Sequence, residues 1–345
     1  MKAAVLLGPG KLIIDEVSVP KPREYEILVK IQGCGICPTD IRYYNGLKLY
    51  FPYGKESYGL FGHEWVGEVV ETGRYVDNLS VGDKVVVDFQ PPCGRCRPCK
   101  MGFTNLCTNK KFYARGFAEY ALAYSPYVYK LSNKISFEEA CLTEPLACCI
   151  HTNQKTNVQK GESIVVIGAG PMGLLHTIVS RLSGARVIAI DLVEDRLSVA
   201  SRLGANFVIN SSVEDPVDKV MSITDGDGAD VVIVTAGSKK AIELSYNLIG
   251  VGGRIVIFAG VYPPTNIEFD PNILHYKEAI VMGSHAYRPI EFQRAVHILE
   301  SGYVDVKKII SHVLPLEKLE EGFNIAEKGL GLKVIVKPTI EASTR

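Results

Sequence analysis

Residues 163–192 read SIVVIGAGPMGLLHTIVSRLSGARVIAIDL, and this stretch decides the fold. A continuous apolar run ends in Gly168-x-Gly170-x-x-Gly173, a helical pattern opens at Pro171, and a second apolar run closes on Asp191. The first glycine permits a tight turn, the second lets a pyrophosphate approach the backbone, and the third lets helix pack on strand. Phosphate would then sit at the helix N-terminus beside Pro171 and Met172, where unpaired N–H groups and the helix dipole favour negative charge. A glycine pattern alone is weak evidence. Here Asp191 stands where a carboxylate takes both ribose hydroxyls, so NAD is expected over NADP, whose 2′-phosphate would meet like charge. Arg196 blunts that argument, since a guanidinium accepts a phosphate.

Outward from this stretch the alternation continues. DRLSVASRLG reads as a helix, and FVIN, ADVVIVTAG and RIVIFAG as further strands. Continuous apolar strands alternating with helices predict a doubly wound parallel sheet, the Rossmann arrangement, over residues 151–289. The first 130 or so residues differ: KAAVLL, EILVKIQG, VGEVVETG and DKVVVDF are short β-branched runs between Gly, Pro and Asp turns, which predicts a mainly-β domain. SFEEACLTEPLACCIHTNQK is expected to be helical from a serine cap, with Glu139 three residues on. After Pro289 a helix and a last strand, KVIVKP, do not extend the parallel sheet. The first domain is therefore expected to be discontinuous, spanning 1–150 and 290–345.

Two metal patterns lie in that domain. CGRCRPCKMGFTNLC places Cys93, Cys96, Cys99 and Cys107 in one short loop, a lobe at about 90–110. Four thiolates wrap one Zn²⁺ tetrahedrally and leave no position free, as a structural site requires. A redox dithiol would not need four. The second pattern is mixed: Cys37 in CGICPTD, His63 and Glu64 in FGHEW, and a further carboxylate, Glu144, in LTEPLA. Ligands drawn from distant segments leave room for water or substrate, which suits a catalytic metal. His151, His176, His275, His297 and His312 lack such company and read as packing or surface residues. Cys34, Cys141, Cys148 and Cys149 read as small buried apolar residues.

Composition agrees with a soluble enzyme of about two domains. The 345 residues carry 38 basic and 38 acidic side chains, so nothing in the net charge argues for nucleic acid or a membrane surface as partner. The apolar run at the start is too short for a signal peptide, and no stretch is long enough to span a bilayer. A cytoplasmic location with reduced cysteines is expected, which favours metal binding over disulfides.

CGICPTD, GHEWVGEVVETG, VGDKVVV, the four-cysteine lobe, TEPLACCIH, VIGAGPMG and KVIVKP, in this order, resemble the zinc-containing medium-chain dehydrogenases of the alcohol dehydrogenase superfamily. The resemblance covers nearly the whole chain. It implies a GroES-like catalytic domain beside the Rossmann domain, two zinc ions per subunit, an active site in the cleft between domains, and a homodimer or homotetramer. Glu144 in its EPL motif, where classical alcohol dehydrogenases use a cysteine, points to the sorbitol dehydrogenase-like branch. By that likeness Cys37, His63 and Glu64 hold the catalytic metal, and Glu144 is a fourth or water-bridged ligand. Thr39 contacts the reacting oxygen and starts proton relay, and Asp40 is a buried carboxylate supporting the site.

Two departures bear on substrate. Arg42 replaces the histidine that passes the proton outward in many relatives, and arginine cannot act as a base. A sorbitol-type arginine is also missing, because GSHAYRP gives Ala286 there. Tyr43, His285 and Tyr287 are the expected pocket residues. The implied reaction is NAD-dependent oxidation of a secondary alcohol of a polyol or sugar to its ketone. Sugar acids are the nearest rival, since Arg42 and Arg288 suit a carboxylate, and L-threonine is another. An NAD(H)-sensing protein without turnover would leave the metal ligands and Thr39 without function, and zinc-free quinone reductases of this fold lack both metal sets.

Overall fold

A computed structural model describes residues 1–47 and 52–338. Seven strands come first: β1 (Lys2–Gly8), β2 (Lys11–Glu16), β3 (Glu26–Gly35), β4 (Glu64–Thr72), β5 (Lys84–Val87), β6 (Tyr120–Tyr124) and β7 (Val128–Lys130). Among them lie the short helices α1 (Pro38–Tyr44) and α2 (Arg97–Lys100). Then follow α3 (Phe137–Ala140), α4 (Thr143–Thr156), β8 (Ser163–Ile167), α5 (Pro171–Leu182), β9 (Arg186–Asp191) and α6 (Glu194–Arg202). The remaining strands are β10 (Phe207–Asn210), β11 (Ala229–Val234), β12 (Ile249–Ile257), β13 (Ile280–Gly283), β14 (Ile310–Pro315) and β15 (Lys333–Lys337). Among the described residues no helix is long and apolar enough to cross a membrane.

The chain forms two compact units, one of residues 1–144 with 288 onward and one of Pro145–Tyr287. In the first, a seven-stranded sheet runs β14-β15-β3-β4-β5-β7, with β6 pairing β3, and β1 pairs with β2 separately. Its core gathers Phe61, Trp65, Phe117 and Phe323 with the inward residues of β3 and β15. The closing strand β15 pairs antiparallel with β3, Val336 opposite Cys34 and Ile335 opposite Gly35. The carboxyl-terminal segment thus lies beside the turn that carries Cys37.

The second unit is a six-stranded sheet ordered β10-β9-β8-β11-β12-β13, all its pairings parallel. Counted within the unit this is 3-2-1-4-5-6, the doubly wound order whose switch point lies between its first and fourth strands. Val165 and Ile167 enter one core cluster while Ile164 and Val166 enter another. Both faces of β8 are therefore covered, which is why its sequence is continuously apolar and does not alternate.

The serine cap forms as expected: Ser136 Oγ accepts from Glu139 N (3.2 Å) and Glu139 Oε2 accepts from Ser136 N (3.0 Å). The helix does not run on. It stops at Ala140 and restarts at Thr143, because an uninterrupted helix would put Pro145 in its interior, where proline lacks the donor and clashes with the preceding turn. The restart places Pro145 in a first turn and brings Glu144 to the helix start.

His176 in α5 is buried (1% exposed), packs edge-on against Phe258 with ring centroids 4.6 Å apart, and its Nε2 has no hydrogen-bond partner. Burial alone pushes its pKa down to about 3. The unfolded chain therefore takes this proton first. Stability is whole above the unfolded value near 6.5 and falls as pH drops towards 3, by about 1.4 kcal/mol per unit. Denaturant unfolding at pH 6.5 and 5 should show about 2 kcal/mol of this loss, and His176→Leu should flatten it. An equal slope in the variant would assign the loss to other groups.

Candidate active site

The dinucleotide loop is built by backbone contacts around glycine. Gly168 has φ of 99°, a left-handed value that glycine adopts without strain. Its N–H donates to Ile190 O at 2.8 Å. Gly170 caps α5, and Pro171 takes the first helical position, where its missing N–H costs nothing. A Cβ on Gly173 would overlap the Gly168 carbonyl oxygen, so helix and loop touch backbone to backbone there. Thr235, just past β11, donates its hydroxyl to Ile167 O and Gly168 O, both at 2.9 Å. Nothing in the linear pattern singles out Thr235. The sheet order brings it to the switch point.

Asp191 is buried and its carboxylate is already engaged. Oδ2 accepts from Ala169 N at 2.6 Å and Oδ1 from Val193 N at 2.9 Å. The residue expected to meet the ribose thus also ties the glycine loop to the end of β9. Each oxygen retains further accepting capacity. Arg196 lies half-buried in α6.

In the first unit Cys37, His63 and Glu64 converge, with one ligand atom from each lying within 4.8 Å of the others. Cys37 is the residue before α1, while His63 and Glu64 stand at the start of β4. Asp40 joins the two segments. Its Oδ2 accepts from Cys37 N at 3.0 Å and its Oδ1 from Gly62 N at 2.9 Å, and Oδ1 also lies 3.4 Å from His63 Nδ1. Asp40 is fully buried, so this carboxylate fixes the geometry of both segments. Burial opposes a charge on His63, but Asp40 and Cys37 outweigh it and hold the imidazole pKa well above its ordinary value. Phe89 covers the ring, with centroids 4.9 Å apart.

Glu64 Oε2 is buried away from solvent. The ammonium of Lys333 pairs with that oxygen by charge. A thiol, an imidazole and a buried carboxylate within one ion's reach fit a divalent metal of the zinc type. Glu144 is buried but does not join that cluster. Burial pushes its carboxyl up to about 7; His63 acts against this shift and Glu64 with it. Sequence reading placed Glu144 near the trio and missed Lys333, which it read only as the start of a strand.

The four lobe cysteines also converge within 4.8 Å. N–H groups point at their sulfurs, from Cys93 to Cys107 Sγ at 3.3 Å, Cys96 to Cys93 Sγ at 3.4 Å, and Asn109 to Cys107 Sγ at 3.4 Å. Backbone donors at Cys99 and Thr108 pull the Cys96 thiol down to about 6, whereas burial and neighbouring sulfurs push Cys99 up to about 12. Crowded sulfurs titrating against one another are what a shared cation relieves. None of the nine cysteines forms a disulfide.

The expected pocket residues are scattered in environment. Tyr43 is half-buried against the first unit's core. Tyr287 is buried at 2% exposure, and His285 is exposed. Thr39 is half-buried in α1, and Arg42 lies in its last turn.

The arrangement is that of a zinc-dependent dehydrogenase using a nicotinamide cofactor, and comparison with known proteins agrees. Residues 23–133 match the alcohol dehydrogenase GroES-like domain and residues 171–301 the zinc-binding dehydrogenase domain. An L-threonine 3-dehydrogenase of Bacillus velezensis is 34% identical, covering 94% of this chain and 95% of that protein. A sorbitol dehydrogenase of Bacillus subtilis is 32% identical, with 98% and 97% covered. A zinc-binding dehydrogenase structure from Sinorhizobium meliloti bound to NADP superposes with a TM-score of 0.90 at 29% identity, covering 98% of this chain and 99% of that one. The chain belongs to the zinc-type alcohol dehydrogenase family, as a relative of the sorbitol dehydrogenases.

Proposed function

We propose that the protein oxidises a secondary alcohol of a polyol or sugar to the ketone, and runs the reverse reduction, with NAD as cofactor and two zinc ions per chain. The observation that carries this reading is the buried Cys37–His63–Glu64 trio, its ligand atoms within one ion's reach, in a chain that also holds the glycine loop. Bound at the trio, zinc would supply Lewis-acid polarisation of the alcohol oxygen, and the nicotinamide would supply a hydride acceptor. The chain's own residues do the rest. Asp40 engages His63 at Nδ1, which leaves Nε2 to face a metal. Thr39 takes the alcohol proton and passes it on, and Glu144 serves as fourth or water-bridged donor. Gly168, Gly170, Pro171, Met172 and Gly173 seat the pyrophosphate, while Asp191 meets the ribose with Arg196 beside it. Cys93, Cys96, Cys99 and Cys107 hold the second zinc and staple their lobe.

The sorbitol dehydrogenase relative supports the polyol class, and the L-threonine 3-dehydrogenase relative supports a second reading in which the alcohol is that of L-threonine. The test is reduced-nicotinamide production from polyols, sugar acids and L-threonine, with NAD⁺ and with NADP⁺. Polyol turnover with NAD⁺ at least about tenfold above NADP⁺ is expected, from the like charge of Asp191 and a 2′-phosphate. Turnover of L-threonine alone would replace the substrate assignment, and a preference for NADP⁺ would give Arg196 the deciding role.

A further inference from the structure

Lys333 is a buried lysine (4% exposed) that opens β15, and its ammonium meets Glu64 Oε2. Its Nζ also donates to Ile36 O at 3.0 Å, the carbonyl just before Cys37. Space for the pair is made by Gly35. A Cβ there would overlap Glu64 Oε2 and come within 2.8 Å of Lys333 Cε. The side chain of Lys333 thus sets a basic nitrogen of the chain's own against the carboxylate of the trio.

We propose that Lys333 is a positioning residue that acts as a stand-in cation, neutralising Glu64 before metal arrives and giving that carboxylate up to the metal. The inference rests on the reading of Cys37, His63 and Glu64 as a metal site. A buried carboxylate without a counter-charge is costly, so the metal-free protein needs a cation there. One oxygen cannot serve an ammonium and a divalent ion equally well, so entry of metal weakens the Lys333 contact. Ile36 O remains as a partner for the ammonium when Glu64 turns to metal. Lys333 thus stabilises the metal-free fold and lowers the affinity of the trio for metal, both through competition and through repulsion of a second cation.

The two effects give opposite signs in one variant. In Lys333→Met, the metal-free protein should melt lower than wild type, while Zn²⁺ at the trio should be held at least about tenfold tighter, because binding now relieves an uncompensated carboxylate. Lys333→Arg, which keeps the charge, should stay near wild type in both. Affinity is read by competition with a chromophoric chelator. The rate of Zn²⁺ loss to excess chelator from protein purified with metal gives the same answer should Lys333→Met fail to fold metal-free. Slower loss from Lys333→Met supports the proposal. Two metals per chain in wild type with unchanged or faster loss from Lys333→Met overturns it, and leaves Lys333 as a brace for the Cys37 turn. Metal in the cysteine lobe alone, in wild type, removes the underlying site reading and this inference with it.

Discussion

Cys37→Ala should lower the metal content from about two ions per chain to about one and reduce alcohol oxidation by about 10³-fold or more, since Lewis-acid stabilisation of developing charge contributes several kcal/mol. The thiol is the only sulfur in the trio, and the remaining imidazole and carboxylate hold zinc far less well. The loss should be local. Asp40 Oδ2 accepts from the Cys37 backbone N–H, a contact that alanine keeps, so α1 should hold its starting geometry in the variant. The lobe cysteines lie in a separate cluster and should retain their ion. Metal analysis by mass spectrometry, together with initial rates, checks both parts. One ion in wild type and variant alike, or full activity in the variant, would remove Cys37 from the metal site and the proposed chemistry with it.

Gly173→Ala should weaken nucleotide binding strongly, with a smaller effect on folding. The new methyl would overlap the Gly168 carbonyl oxygen and approach Thr235 Oγ1 at 3.1 Å. Neither the loop backbone nor the first turn of α5 has room to retreat, because Gly168 N is tied to Ile190 O and Thr235 to Ile167 O and Gly168 O. Overpacking of this kind costs about 1–3 kcal/mol of stability. The greater effect should fall on the phosphate cradle, whose N–H groups must keep their positions. A loss in NADH affinity of about 100-fold or more is expected, as about 2.7 kcal/mol of phosphate interaction would be forfeited. Fluorescence titration with NADH measures it. Gly170→Ala is the informative companion, since a Cβ there meets nothing within 4 Å. Binding lost in that variant as well would mean that the ligand itself approaches the backbone there, as a pyrophosphate would.

The dinucleotide loop was legible in the sequence because its constraints are local. Gly168 and Gly173 each answer a backbone requirement within one strand-turn-helix unit, and the apolar runs reveal a sheet covered on both faces. The cysteine lobe was legible for the same reason, its four sulfurs lying close together along the chain. The trio was readable as a set of suitable residue types, but its convergence depends on how β4 and the turn after β3 are placed, which Asp40 enforces. The break between α3 and α4 was missed, although Pro145 signalled it.

The sequence by itself determined the family and the glycine loop and offered two sets of metal-ligating residue types, since short spacings and backbone needs leave few alternatives. Only the tertiary structure decided which charges gather beside Cys37, His63 and Glu64. Lys333 and Glu64 lie at opposite ends of the chain and meet because β15 pairs with β3 beside the Cys37 turn. Thr235 reaches the glycine loop only through the strand order at the switch point. Asp191, expected at the ribose, proved to be a brace for the loop. Long-range pairing of strands sets these contacts, and a linear pattern carries no record of which distant strand becomes the neighbour.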